Sequence, residues 1–283
     1  MKTIGIVGAG TMGAGIAHVA AISGSKVFLY DIAADVLTKA LDRIDNELQK
    51  GVEKKKITTE QAAETRKRIQ PASTFQSFST CNIIIEAAIE NLDVKWDIFK
   101  KLEKICPSKT ILASNTSSFS ITSIASSIKS AARVVGLHFF NPPHLMKLVE
   151  VISGNATTDE TLKHSVELVK QLGKTPVIVK DTPGFIVNRI ARPFYGEALR
   201  LLGEGVAGIE DIDQIVRLEG GFKMGPFELM DLIGIDVNFA VTRSMYEQTF
   251  GEPRYRPHVI QQTMVNAGLL GRKTKRGFYD YNQ

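Results

Sequence analysis

The first 31 residues place the tightest constraint on what this chain can fold into. Thr3 to Val7 is a short apolar, β-branched run, and Gly8-Ala9-Gly10-Thr11-Met12-Gly13 follows it directly. Thr11 to Ile22 then carries helical spacing, and Lys26 to Tyr30 (KVFLY) is a second strand-like run that ends on Asp31. A strand, a helix and a strand within about 30 residues make a βαβ crossover, which commits the two strands to a parallel sheet. In that setting each glycine has a task. Gly8 permits the tight turn, Gly10 lets the main chain approach a pyrophosphate, and Gly13 lets the helix pack closely with its N-terminus toward the anion. The whole span, Ala9, Thr11 and Met12 included, is the expected contact for a dinucleotide. Asp31, 18 residues beyond Gly13, is placed to accept hydrogen bonds from the adenosine ribose hydroxyls and to repel a 2′-phosphate. The expected cofactor is therefore NAD rather than NADP. Three glycines can also serve merely as a turn; the flanking strands and Asp31 favour the cofactor reading.

Beyond this unit the α/β alternation continues. An amphipathic helix is expected from about residue 33, with Val36, Leu37, Ala40, Leu41, Ile44 and Leu48 on one face, and a second across Thr58 to Arg68. The basic stretch Lys50 to Lys56 reads as the break between them. Strands are expected at Ile83 to Glu86, Thr110 to Ala113, Val134 to His138, Leu148 to Ile152 and Pro176 to Val179. Helices are expected at Asp93 to Lys104, Ile121 to Ser127 and Asp159 to Leu172. The texture changes at Asp181-Thr182-Pro183-Gly184. From there, Phe185 to Gly203, Ile209 to Leu218, Phe227 to Phe250 and Pro257 to Ala267 are all helical in spacing. The expected architecture is α/β: a Rossmann-type, doubly wound, mainly parallel sheet over residues 1–183, with an inserted helical pair near 33–68. A smaller all-α domain over 184–283 follows it.

Composition narrows the class of function. With 283 residues, 43% hydrophobic and 23% charged, the chain has the make-up of a globular protein and ample length for a core. Two cysteines offer neither a disulfide framework nor a metal-ligand spacing, which favours a reducing cytoplasm and no metal. The N-terminus reads as a buried strand rather than a targeting segment. No apolar run reaches the roughly 18 residues of a membrane span. The formal charge of +5 is compatible with nucleic acid, an anionic membrane or an acidic small molecule. No nucleic-acid reading motif accompanies it.

A second cluster points to chemistry. Gly136 to Pro143 (GLHFFNPP) is a strand running into a turn fixed by two prolines, and Leu148 to Ile152 (LVEVI) is the next strand. A reversal at that turn brings His138 beside Glu150. A carboxylate on one ring nitrogen fixes the tautomer and stabilises the imidazolium, as a general base for an alcohol proton requires. Ser114-Asn115-Thr116-Ser117-Ser118 ends another strand and should face the same crevice, although such clusters are often helix caps. Asn188, in Pro183 to Arg189, is a polar residue in an apolar turn and could equally serve as an interdomain hydrogen bond.

At this point the chain resembles a known family. GAGTMG with Asp31, EAAIEN at Glu86 to Asn91, SNTSS, GLHFFNPP, MKLVEVI, PGFIVNR, MGPFELMDLIG and LGRKTKRGFYDY resemble, in order, the landmarks of the 3-hydroxyacyl-CoA dehydrogenases. The short bacterial 3-hydroxybutyryl-CoA dehydrogenases are the nearest group, and the resemblance covers essentially the whole chain. It implies a catalytic group of Ser117, His138, Glu150 and Asn188. It implies NAD contacts at Glu90, Lys95, Asn115, Ser117, Asn141 and Lys273. Spacing alone would make Glu90 and Lys95 an i, i+5 pair on a solvated helix start. The substrate would be an (S)-3-hydroxyacyl-CoA, held at Ser117 and Asn188, with Lys50 and Lys54 on the CoA phosphates; the alternative for these lysines is a solvated turn. The resemblance also implies a homodimer formed by the C-terminal domain. Part of it extends to enzymes acting on 3-hydroxyadipyl-CoA. Three other readings compete: a β-hydroxyacid dehydrogenase of free acids, a non-catalytic dinucleotide-binding protein, and a nucleic-acid binder. The intact Ser117, His138, Glu150 and Asn188 set speaks against the non-catalytic one.

Overall fold

A computed structural model describes residues 2–282, which divide into two compact units meeting in sequence at Thr182 and Pro183. The first unit alternates strands and helices in the order β1 (Thr3–Val7), α1 (Thr11–Ile22), β2 (Lys26–Tyr30), α2 (Ala34–Glu53), α3 (Thr59–Lys67), β3 (Ile69–Pro71), β4 (Ile83–Glu86), α4 (Leu92–Ile105), β5 (Ile111–Ser114), α5 (Ile121–Ala125), β6 (Val134–Phe139), β7 (Leu148–Ser153), α6 (Asp159–Gln171) and β8 (Thr175–Lys180). The eight strands form one sheet in the order β3-β2-β1-β4-β5-β6-β7-β8. Chain order reverses between β1 and β4, and the crevice at the carboxyl ends beside such a reversal is where ligands bind in open α/β sheets. The family-independent expectation of a doubly wound α/β sheet followed by helices is what the chain adopts.

Every neighbouring pair is parallel except β6 with β7. That exception is the reversal expected at the Asn-Pro-Pro turn, where the Asn141–Pro142 peptide is cis. Central strands read as unbroken apolar runs because both their faces are covered: Ile83, Ile84 and Ile85 of β4 are all buried. Helix α1 fits tightly for the same reason. Its Ala14, Ala17, Ala20 and Ala21 are buried together with Ile16 and Val19, so small side chains let it lie close to the sheet. Helix α2 buries Ala40, Ile44 and Leu48, one turn apart, and leaves its other face to solvent.

Four local expectations are corrected. Helix α2 continues through Lys50 to Glu53, so the basic stretch is a helix end as much as a break. Strand β3 was not expected, because three residues that include Pro71 give no alternation to read. The helix expected from Phe185 begins at Val187. The helix expected over Phe227 to Phe250 is two, α9 and α10 below, because Gly234 between them takes φ of 101°.

The second unit contains α7 (Val187–Gly203), α8 (Ile209–Leu218), α9 (Pro226–Ile233), α10 (Ile235–Gln248) and α11 (Val259–Asn266). Its own core gathers Tyr195, Leu199, Ile212, Phe227, Met230 and Ile235. Two buried carboxylates tie down the C-terminal segment. Asp231 accepts hydrogen bonds from the main-chain N–H groups of Phe278 and Tyr279, and Asp213 accepts one from the Tyr279 hydroxyl at 2.9 Å. Among the described residues no helix is long and apolar enough to cross a membrane.

Candidate active site

The dinucleotide loop is built as the sequence implies. A Cβ on Gly13 would collide with the main-chain oxygen of Gly8, so this helix can enter so close to β1 only with glycine there. Around Gly10, by contrast, nothing beyond its immediate chain neighbours lies within 4 Å of where a Cβ would be. The N-terminus of α1 has no side-chain cap and no acidic residue in its first turn, so its main-chain N–H groups are left to an external acceptor. Asp31 Oδ2 accepts from the N–H of Ala9 at 2.7 Å and Oδ1 from that of Ala33 at 3.0 Å. The carboxylate is thereby fixed at the tip of β2 with acceptor capacity remaining. A cavity of about 790 Å³ opens beside it, lined by Gly8, Gly10, Asp31, Ile32, Ala88 and Ile89 among others. Space at Gly10, an uncapped helix end and an anchored carboxylate fit the pyrophosphate and ribose of NAD.

His138 and Glu150 are directly opposite in the β6–β7 register. Their side chains therefore share one face of the sheet, and His138 Nδ1 lies 2.7 Å from Glu150 Oε2. His138 is 6% exposed and Glu150 1%. With Nδ1–H donating to the carboxylate, Nε2 becomes the basic nitrogen of the neutral ring. The Phe140 ring stands 4.5 Å from the imidazole, centroid to centroid.

The Ser114–Ser118 loop follows β5 and is organised by Glu90. Glu90 Oε1 accepts from Thr116 Oγ1 at 2.6 Å, Ser118 Oγ at 2.7 Å and the main-chain N–H groups of Ser117 and Ser118, each at 3.1 Å. The Ser117 side chain is not used in these bonds. Partial burial would push the Glu90 carboxyl up, but Lys95 and these donors outweigh it and hold the group below the usual carboxylate range. Asn115 spends its Oδ1 on the N–H of Phe139, 2.9 Å away, and so ties this loop to β6.

Glu90 and Lys95 form an ion pair at 3.1 Å in which the ammonium is buried while the Glu90 side chain keeps an exposed edge. The Lys95 side chain is 1% exposed because its ammonium also meets Glu86 of β4 at 2.9 Å. Glu86 escapes a reading of the sequence, since it looks like the polar end of a strand. Gly15 escapes it too: a Cβ there would strike the Pro143 ring, so this glycine lets the Asn-Pro-Pro turn lie on α1.

Asn141 lines a small cavity of about 90 Å³ with Thr11, Arg43 and His144. Farther along α1 and α2, a cavity of about 500 Å³ is lined by Lys50, Lys54, Lys56, His18, His144 and Lys174 among others. Lys50 is already paired with Glu47 at 2.8 Å. Burial first, and then the neighbouring His144, push the His18 imidazole below its ordinary range against the pull of Glu47. In the second unit, Asn188 is the second residue of α7 and is half-buried, and the Lys273 ammonium is held by both oxygens of Asp236. Among the described residues no three His, Cys, Asp or Glu side chains are grouped to hold a metal.

Two family models account for nearly all of the chain. Residues 3–182 match the 3-hydroxyacyl-CoA dehydrogenase NAD binding domain, and residues 184–281 match the C-terminal domain of the same enzymes. The chain belongs to the 3-hydroxyacyl-CoA dehydrogenase family. Its sheet and glycine loop are accordingly the family's NAD-binding, Rossmann-type domain. Among its relatives, 3-hydroxyadipyl-CoA dehydrogenase of Escherichia coli is 50% identical over 281 residues; that match takes in 99% of this chain, which spans only 59% of that protein's length. The 3-hydroxybutyryl-CoA dehydrogenase of Clostridioides difficile is 43% identical over 280 residues, covering 99% of both chains. The crystal structure of (S)-3-hydroxybutyryl-CoA dehydrogenase from Ralstonia eutropha superposes with a TM-score of 0.95 at 43% identity over 100% of both chains.

Proposed function

We propose that the chain interconverts (S)-3-hydroxyacyl-CoA and 3-oxoacyl-CoA with NAD as cofactor, and that 3-hydroxybutyryl-CoA and acetoacetyl-CoA are its substrate pair in fatty acid or butyrate metabolism. The observation that carries this reading is the buried His138–Glu150 contact at 2.7 Å in the family's dinucleotide-binding domain. Bound NAD supplies the hydride acceptor, or in its reduced form the donor, at carbon 3 of the acyl chain. In oxidation, His138 Nε2 takes the hydroxyl proton, and Glu150 offsets the charge of the imidazolium that results. In reduction the imidazolium returns that proton. The Ser117 hydroxyl hydrogen-bonds the oxygen as it gains carbonyl character, which orients it and stabilises developing charge. The resemblance assigns Asn188 to the same group, and on that ground alone we include it.

Lys50 and Lys54 are suited to the CoA phosphates as point charges on long stems beside a cavity lined by further cations. Replacing both with Ala should raise the apparent KM for a CoA substrate about tenfold and leave a substrate without the 3′-phosphate little affected. An equal effect on both substrates would remove the assignment. The 50% identity to the Escherichia coli enzyme supports a second reading, with 3-hydroxyadipyl-CoA as substrate. We also infer a cytoplasmic homodimer without membrane or nucleic-acid partners. Exposed apolar side chains of the second unit, among them Ile190, Ile215, Leu218 and Phe222, support self-association.

The deciding experiment compares acetoacetyl-CoA with 3-oxoadipyl-CoA as substrates for NADH oxidation. A higher kcat/KM for acetoacetyl-CoA is expected. The reverse order would move the assignment to the dicarboxylic substrate, and no turnover with any 3-oxoacyl-CoA would overturn the proposal.

A further inference from the structure

The buried pair Glu86–Lys95 has no part in the chemistry above, yet it is wired to the Ser117 loop. Glu86 ends β4, in register with Val7 of β1 and Ser114 of β5, and is 0% exposed. Its Oε1 accepts from Lys95 Nζ at 2.9 Å and from the N–H of Ala88 at 2.8 Å. Its Oε2 accepts from Ser114 Oγ at 2.6 Å and lies 3.1 Å from the same ammonium. Glu86 thus accepts from three donors drawn from the start of the β4–α4 connection, the first turn of α4 and the end of β5. Lys95 in turn holds Glu90 by Oε2, at 3.1 Å. The other oxygen of Glu90, Oε1, is left to gather the two hydroxyls and two main-chain N–H groups of residues 116–118.

Two further considerations bear on this arrangement. Burying two charges costs solvation that their attraction can fail to repay, so the presence of such a pair is not by itself explained by net stability. The ammonium also divides the labour of the Glu90 carboxylate, since only the oxygen that Lys95 does not hold can take all four loop donors. We propose that Glu86 and Lys95 are positioning residues, which aim Glu90 at the Ser117 loop and so set where the Ser117 hydroxyl stands. Lys95 then acts on the Ser117 loop from inside the protein, through Glu90. The catalytic consequence rests on the role proposed above for Ser117, whereas the geometric claim does not.

The test replaces both buried charges together, as E86Q/K95M, so that neither is left unpaired. Hydrogen exchange is measured at the Ser117 and Ser118 amides of the full-length protein, and turnover of acetoacetyl-CoA is measured with and without S117A. Exchange at the two amides should rise at least about tenfold while amides of β1 and β4 keep their protection. The kcat should fall about tenfold with KM changed less than about twofold, and on the S117A background the double change should cost almost nothing more. Unchanged exchange at Ser117 and Ser118, or a full multiplicative loss on S117A, would overturn the proposal. E86Q/K95Q, which keeps polar groups at both places, carries the same test should the Met variant fail to fold. If S117A alone leaves turnover unaltered, the role of Ser117 fails, and faster exchange would still establish the positioning network.

Discussion

At the scale of single residues, the account rests on groups whose surroundings set their behaviour. Glu150→Gln keeps the shape beside His138 but removes the charge that offsets an imidazolium. It should lower kcat about 100-fold or more with little effect on NADH affinity, measured by fluorescence titration. Loss of folding instead would mark Glu150 as structural. Glu90 gives a pH prediction. Its carboxyl is held below the ordinary value of 4.5, so its contribution to stability is complete above that pH and fades as the pH falls through the lower, folded value. Urea unfolding of E90Q should therefore fall short of the unaltered protein at neutral pH, with the gap closing in acid; a gap that widened in acid would contradict the sign. The thiols of Cys81 and Cys106 are pushed up to about 12 and about 11 by burial, so neither should react with iodoacetamide at neutral pH without unfolding. Among these residues, His138 and Glu150 were legible because a turn between two strands fixes which side chains face each other. The burial of Lys95 was not, since it depends on Glu86, nine positions earlier on a strand whose neighbours the sequence does not name.

At the scale of elements, the β1–α1 turn separates two kinds of glycine requirement. Gly13→Ala forces a methyl group onto the Gly8 main chain and should cost about 3 kcal/mol or more of stability. Gly10→Ala meets no atom beyond its chain neighbours, so it should leave the melting temperature unchanged and weaken NADH binding at least about tenfold. A loss of stability at Gly10 equal to that at Gly13 would show that both glycines serve the fold alone. The long periodic helices and the isoleucine-rich strands were readable because burial writes a period into the sequence. Shorter or interrupted elements were not. β3 lies at the sheet edge with a proline in it, and the single Gly234 between α9 and α10 can be tolerated within a helix as readily as it can end one.

At the scale of the whole molecule, each unit buries its own core, and the family models divide at the same place as the units. Residues 1–182 alone should therefore fold and bind NADH; an unfolded fragment would contradict the independence of that core. Sedimentation equilibrium should give about twice the chain mass of 31.1 kDa, and a monomer at all concentrations would remove the homodimer from the account. The positive balance of the sequence had no single meaning by itself, and the structure narrows it by gathering several lysines around one cavity on the first unit. The central claim is that His138, steadied by Glu150, moves the proton while hydride passes at carbon 3. It is tested most directly by NADH oxidation with acetoacetyl-CoA, comparing the unaltered chain with His138→Gln. The account predicts ready turnover by the former and a loss of about 100- to 10,000-fold in the latter, with NADH affinity retained. Equal turnover by the two proteins would contradict it.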